Sequence, residues 1–168
     1  VLKACNKLTE IANEIEAVNT LIPEKDNQWI GTNTDIEGFL TPLRIHNLED
    51  KNVVIIGCGG SARAVVMGLS SLNIKTVVII SRNENSIDIF VKNMSNLLSK
   101  KNISIQGINS KKFNVSTYIQ EADLIINTTP IGMSSRKTTQ DNIPLGYEIW
   151  ENLANKTILY DLIYSPRP

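Results

Sequence analysis

The sequence predicts an α/β fold, a doubly wound parallel sheet with part of a second α/β unit ahead of it, and three observations carry that prediction. Short apolar runs at 53–56, 76–80, 124–126 and 157–160, and a more mixed stretch at 102–108, are of strand length. The purest of them are apolar on both faces, as strands covered by helices on either side must be. Between them, Ala62, Val65, Val66, Leu69 and Leu72, then Ile87, Phe90, Val91, Met94, Leu97 and Leu98, fall at spacings of three and four, so each stretch turns one apolar stripe toward a sheet. The run at 53–56 passes straight into a glycine cluster, which lets a strand turn sharply into a helix.

A chain of 168 residues suits one ordinary domain, or one domain with part of another, and 42% apolar residues are enough for a packed core. Lys plus Arg and Asp plus Glu number 17 each, so no overall field draws the chain to nucleic acid or to an anionic membrane. No apolar run approaches the roughly 20 residues of a membrane span. The start, Val1-Leu2-Lys3-Ala4, lacks the architecture of a signal peptide. The expectation is a soluble protein of the cytoplasm. Cys5 and Cys58 are too few for a disulfide framework or a zinc site, which predicts two buried thiols and no metal centre.

In chain order, Leu2, Cys5, Leu8, Ile11, Ala12 and Ile15 have helical spacing and predict an opening helix whose unpartnered face implies elements ahead of it. A strand over 17–22 ends at Pro23, a polar turn covers 24–28, and Trp29-Ile30-Gly31 makes a second short strand. Asn33-Thr34-Asp35 opens a helix, with Thr34 or Asp35 as its cap. Residues 44–51 are polar and form a hinge, which separates 1–46 from 47–168. His46, the only histidine, lies in that hinge with no carboxylate to orient it and reads as a solvated loop residue.

After the strand at 53–56, Gly57, Gly59 and Ala62 take the three places of the G-x-G-x-x-G/A pattern: tight turn, close approach of a pyrophosphate, close helix-to-strand packing. Gly57-Cys58-Gly59-Gly60-Ser61-Ala62 thereby offers unpaired N–H groups at the positive end of a helix dipole. A purely structural strand-to-helix turn is the alternative. The next strand ends at Ser81-Arg82-Asn83. A carboxylate there would accept from the 2′-hydroxyl of NAD, whereas the guanidinium of Arg82 matches a 2′-phosphate with two charge-assisted bonds and points to NADP. An ordinary surface role for Arg82, and a NAD role for Glu84, stay open.

Residues 102–108 form a third strand, Lys111 and Lys112 a solvated turn, and 124–127 a fourth strand. Asn127 and Thr128 stand at its carboxyl end, where open parallel sheets bind ligands. Residues 134–142 predict an exposed loop, 147–153 a short helix and 157–161 a fifth strand.

Five strings, Ala17-Val18-Asn19-Thr20-Leu21, Asn33-Thr34-Asp35, Gly57-Cys58-Gly59-Gly60-Ser61-Ala62-Arg63-Ala64, Asn127-Thr128-Thr129-Pro130-Ile131-Gly132-Met133 and Asp161-Leu162-Ile163-Tyr164-Ser165-Pro166, occur in the order and spacing of the shikimate dehydrogenase family. The chain resembles that family over nearly its whole length. The resemblance implies a Rossmann-type NADP-binding domain over 47–168 and the C-terminal part of a substrate domain over 1–46. It also implies reversible, NADP-dependent reduction of 3-dehydroshikimate to shikimate, a step toward chorismate and the aromatic amino acids, with this small molecule as partner and neither nucleic acid nor membrane. Carried over by motif, Asp35 corresponds to the catalytic carboxylate that works with a lysine on the reacting hydroxyl, and Asn19 and Tyr164 to substrate contacts. Gly57, Cys58, Gly59, Gly60 and Ser61 would hold the pyrophosphate, with Ala62 packed behind them. Ser81, Arg82 and Asn83 stand where the family reads the 2′-phosphate, Asn127 and Thr128 beside the cofactor, and Leu162 where a residue packs on the nicotinamide. On residue preference alone, Asp35 reads as a helix cap, Asn19 as a turn amide and Tyr164 as an exposed aromatic, ahead of any functional role.

Departures from the family pattern matter as well. The family's catalytic lysine belongs to a segment ahead of Val1, and Lys3, Lys7 and Lys25 do not stand in its motif. A second arginine that often follows the 2′-phosphate residues is replaced by Ser86. The expectation is a piece of a longer protein that by itself binds NADP weakly or moderately and turns over shikimate negligibly. A NAD-dependent quinate relative and a non-catalytic dinucleotide-binding module remain open, the second disfavoured because a pure binder needs none of Asn19, Asp35 and Tyr164.

Overall fold

Strand pairing, rather than helical spacing, decides the first segment. The computed structural model describes residues 5–133, 143–151 and 153–163. In it, β1 (Lys7–Leu8) runs parallel to β3 (Trp29–Thr32), with Lys7 opposite Ile30, and β2 (Thr20–Pro23) lies antiparallel on the other side of β3. The sheet order is β1-β3-β2. The expected opening helix shrinks to α1 (Glu10–Glu14), started by Thr9, whose Oγ1 accepts from Ala12 N at 3.4 Å. A strand of two residues is too short to show a period of its own against that helical spacing, and Thr9 is the start signal that separates it from the helix. Gly31 allows the crowding this needs, because a Cβ there would come within 2.6 Å of Cys5 Sγ and 2.9 Å of Leu8 and Val18. Cys5 and Cys58 are half-buried rather than buried, since one lies at a sheet edge and the other in an open bend.

α2 (Asp35–Leu43) buries Ile36, Phe39, Leu40 and Leu43. Its Phe39 packs against α3 (Gly60–Leu69) where Gly68 leaves room, a Cβ at Gly68 falling 2.9 Å from Phe39 Cδ1. The larger sheet comprises β4 (Asn52–Ile56), β5 (Thr76–Ser81), β6 (Ser104–Asn109), β7 (Leu124–Asn127) and β8 (Ile158–Asp161). All pairs are parallel, in the order β6-β5-β4-β7-β8. On β4, Val53 and Ile55 join one core with α2, α3 and α4 (Glu84–Ser99), while Val54 and Ile56 join Val115 and Ile119 beside α5 (Ser116–Gln120) on the opposite face. That two-sided cover explains the unbroken apolar run, each such side chain contributing about 1.5–3 kcal/mol by burial. Phe39 also stacks on Tyr160 of β8, ring centroids 5.4 Å apart, which ties α2 to the larger sheet.

Three local readings change. Leu72 lies beyond the end of α3. The short helix expected at 147–153 is one 3-10 turn, Tyr147–Ile149, closed by Trp150 Nε1 donating to Pro144 O at 2.8 Å. α5 was not foreseen, because at five residues its only signal is Val115, Ile119 and Ala122 at spacings of four and three. The loop expected at 134–142 lies outside the described residues. Among the described residues no helix is long and apolar enough to cross a membrane.

Candidate functional site

Strand order reverses between β5 and β7 as neighbours of β4, so the carboxyl end of β4 opens into the crevice where such sheets take ligands. Gly57 N donates to Ile80 O at 2.8 Å, while Thr128 N and Thr128 Oγ1 donate to Ile56 O at 2.9 and 2.8 Å. These bonds draw the turn after β7 over Gly57, where φ is +111° and a Cβ would lie 2.4 Å from Thr128 Oγ1. Only glycine fits, for torsion and for space. At Gly59 the reverse holds: the residue is exposed and nothing lies within 4 Å of where a Cβ would stand. Ala62 is fully buried behind the bend. α3 has no side-chain cap and closes its first internal bond from Arg63 N to Gly59 O, 3.2 Å. The N–H groups of Gly60, Ser61 and Ala62 precede that bond, at the positive end of the helix dipole, with Cys58 half-buried beside them. The bend therefore fits the diphosphate of a dinucleotide: open space over Gly59, a Cβ-free turn at Gly57, and donors aimed outward.

Beside the bend lies a cavity of about 540 Å³. Ile56, Ile80, Val115 and Ile131 give it apolar walls, and Arg82 and Lys111 stand at its rim. Ser81, half-buried at the end of β5, accepts through its carbonyl from Ser110 N at 2.9 Å. Asn83 caps α4, its Oδ1 accepting from Ser86 N at 3.0 Å. Glu84 is ion-paired with Lys112. Among the described residues neither Arg82 nor Lys111 has a carboxylate partner, and both are exposed.

Asn127, buried at the end of β7, is satisfied within the chain. Its Nδ2 donates to Asp161 Oδ1 at 3.1 Å, and its Oδ1 accepts from Thr129 N at 3.0 Å and Thr129 Oγ1 at 2.7 Å. With the Thr128 hydroxyl also engaged, these two residues shape the crevice wall. Leu162 follows β8, half-buried, its N–H donating to Asn127 O at 3.1 Å. Tyr164 lies outside the described residues.

Asn19 and Asp35, 16 positions apart, meet: Asn19 Nδ2 donates to Asp35 Oδ1 at 2.6 Å, and both are exposed. Asn19 Oδ1 accepts from Thr34 N at 3.0 Å and Thr20 Oγ1 at 2.8 Å, which fixes the orientation of its amide. Asn33, to which no role had been given, is buried and sets Asp35 in place. Its Oδ1 accepts from Asp35 N at 3.0 Å and its Nδ2 donates to Ala17 O at 3.4 Å. An asparagine two residues ahead of a helix-opening aspartate is the Asx-turn signal that could have found it. Thr34 precedes the helix without a side-chain cap bond. The pair is held near the glycine bend: Ala17 Cβ lies 3.8 Å from the Cβ position of Gly60, and Arg63 Nη1 donates to Glu16 Oε2 at 2.6 Å. His46 is exposed in its loop, as the sequence predicts.

The sequence profile of the shikimate/quinate 5-dehydrogenase family matches residues 40–138. A shikimate dehydrogenase (NADP(+)) of Prochlorococcus marinus (strain MIT 9515) is 46% identical over 168 residues, all of this chain and 57% of that protein. One from Nostoc sp. (strain PCC 7120 / SAG 25.82 / UTEX 2576) is 37% identical over 171 residues, 100% of this chain and 56% of its own length. The chain thus spans a little over half the length of the curated relatives it matches. Among solved structures, a shikimate dehydrogenase in complex with NADP+ superposes with a TM-score of 0.75 at 30% identity, over 99% of this chain and 54% of the other. Quinate dehydrogenase from Corynebacterium glutamicum in complex with NAD shares the fold, with a TM-score of 0.74 at 22% identity over 99% of this chain and 56% of the other. With the glycine bend, the crevice and the Asn19–Asp35 pair in place, the chain belongs to the shikimate/quinate 5-dehydrogenase family.

Proposed function

We propose that the chain is part of a NADP-dependent shikimate dehydrogenase that interconverts 3-dehydroshikimate and shikimate. The observation that carries this reading is the adjacency of an open, donor-lined glycine bend to a cavity rimmed by Arg82 and Lys111, which have no carboxylate partner among the described residues, with Asn19 and Asp35 held beside the same bend. Residues 1–46 then belong to the substrate domain and 47–168 to the nucleotide domain, in a cytoplasmic enzyme. The balanced charge supports a small-molecule substrate rather than nucleic acid or a membrane surface as partner.

In this reading the N–H groups around Gly57, Cys58, Gly59, Gly60 and Ser61 hold the diphosphate, and Ala62 keeps the helix close behind them. Ser81, Arg82 and Asn83 face the 2′-phosphate, while Asn127 and Thr128 hold the wall over the bend. Leu162 offers an apolar surface to the nicotinamide. Bound there, NADP supplies hydride exchange with the substrate carbon. Asn19 and Tyr164 orient the ring hydroxyls, and Asp35 faces the oxygen that gains or loses a proton as the hydride moves. Asn19 engages one oxygen of Asp35 and aims the carboxylate, so the second oxygen is left for that proton. The Lys112 partnership of Glu84 supports NADP over NAD, because it occupies the carboxylate that could otherwise meet a ribose 2′-hydroxyl.

Calorimetric titration with each dinucleotide tests the reading. Arg82→Ala is expected to weaken NADP about 10- to 100-fold while leaving NAD within about twofold, the cost of losing a bidentate charge-assisted pair. Equal losses for both dinucleotides would contradict it.

A further inference from the structure

We infer that Lys111 is a second cation for the 2′-phosphate, so that NADP is selected by the end of β6 as well as by the end of β5. The inference rests on the NADP reading above and extends it to a residue that sequence alone places in a solvated turn. A phosphate monoester carries about 1.5 to 2 negative charges at neutral pH and three terminal oxygens. One guanidinium meets two of those oxygens side-on, which leaves one oxygen and much of the second charge without a partner. Ser86, on the first turn of α4, is neutral and does not supply that charge.

Strand register brings the missing cation from elsewhere. Ser81 of β5 stands opposite Asn109 of β6, and Ser110 N donating to Ser81 O at 2.9 Å carries the ladder one residue further. Residues 82 and 111 therefore leave neighbouring strand ends, whose axes lie about 4.8 Å apart, within the reach of one phosphate group. The turn at Lys111 is fixed from inside. Buried Asn109 accepts from Lys111 N through Oδ1 at 2.9 Å, and its carbonyl accepts from Lys112 N at 3.1 Å and Phe113 N at 3.0 Å.

The two adjacent lysines then do different things. Lys112 pairs with Glu84 and neutralises the carboxylate on the first turn of α4. Lys111 lines the same cavity as Arg82 and has no acidic partner among the described residues. An ammonium acts as a compact point charge, suited to the single oxygen that a guanidinium leaves over.

The test measures binding of NADP, NAD and adenosine 2′-monophosphate to the 168-residue chain and to Lys111→Gln, Arg82→Ala and Lys100→Gln. Lys100 is exposed beyond the far end of α4, so its replacement removes the same charge at a distance from the cavity. Lys111→Gln is expected to weaken NADP and adenosine 2′-monophosphate about tenfold and NAD by less than about twofold, with Lys100→Gln moving none of them beyond about twofold. Loss of NADP affinity no greater than in Lys100→Gln, or equal loss for both dinucleotides, would overturn the role of Lys111. If Arg82→Ala alone discriminates, Lys111 is excluded and the NADP reading stands. If the unaltered chain binds none of the three ligands, both fall.

Discussion

The two ends of the five-stranded sheet are made from the same strands and differ in what their polar groups do. At the amino end Asp123 accepts from Asn52 N at 3.1 Å and pairs with Lys51 at 3.4 Å, and Asn52 Oδ1 accepts from Thr76 Oγ1 at 2.8 Å. Thr157 Oγ1 donates there to Ala122 O at 3.1 Å. At the carboxyl end the first N–H groups of α3 precede any internal bond, Gly59 faces open space, and among the described residues Arg82 and Lys111 have no carboxylate partner. The amino end uses its polar groups to hold strands together; at the carboxyl end Asn127 and Asp161 do the same, while the first N–H groups of α3 lie beside the open space over Gly59. The distinction is carried by the terminal residues of the strands and by the loops, since β4, β5 and β7 stay in register from one end to the other.

The largest effect should separate two glycines of the same bend. Gly57→Ala is expected to cost about 2 kcal/mol or more in chemical denaturation, because the positive φ and the Thr128 hydroxyl both oppose a Cβ. Gly59→Ala should change stability by no more than about 0.5 kcal/mol, yet weaken NADP at least about tenfold by placing a methyl group in the diphosphate's space. Normal NADP binding by Gly59→Ala would show that the open space is not a ligand's.

The amino end should respond to pH and not to nucleotide. Burial pushes the Asp123 carboxyl up, but the Asn52 N–H and the Lys51 ammonium outweigh it and hold the pKa below the ordinary 3.8. A depressed pKa contributes stability that is complete above the unfolded value and is lost as pH falls through the folded one. Asp123→Asn should therefore cost about 1 kcal/mol at pH 7 and flatten the loss of stability below about pH 4, with NADP affinity unchanged. Thermal melts across that window check it. The smallest effect belongs to the contact between the smaller sheet and α3. Glu16→Ala should cost less than about 1 kcal/mol, since Glu16 is largely exposed and its bond to Arg63 is open to water. A loss above about 2 kcal/mol would make that join a structural element in its own right.

Local pattern alone foretells β4, the bend and α3, because strand period, glycine and helix period follow one another without interruption. The parallel sheet follows from the alternation of such units. β1 and α5 escape notice for the opposite reason: two and five residues are too short to show a period, and partners distant in sequence decide them. At the site, motif positions name Asn19 and Asp35, but only the paired strands of the smaller sheet and the turn at Asn33 bring them to 2.6 Å. Lys111 and Lys112 look alike in a turn, and the register of β5 with β6, together with Glu84, tells them apart.

Following every backbone amide by NMR during a NADP titration tests the contrast between the two ends most directly. The account predicts shifts that saturate together at Gly59, Gly60, Ser61, Ala62, Arg82 and Lys111, while Asn52 and Asp123 stay still. Shifts gathered at Asn52 and Asp123, or none anywhere in a folded chain at millimolar NADP, would contradict it.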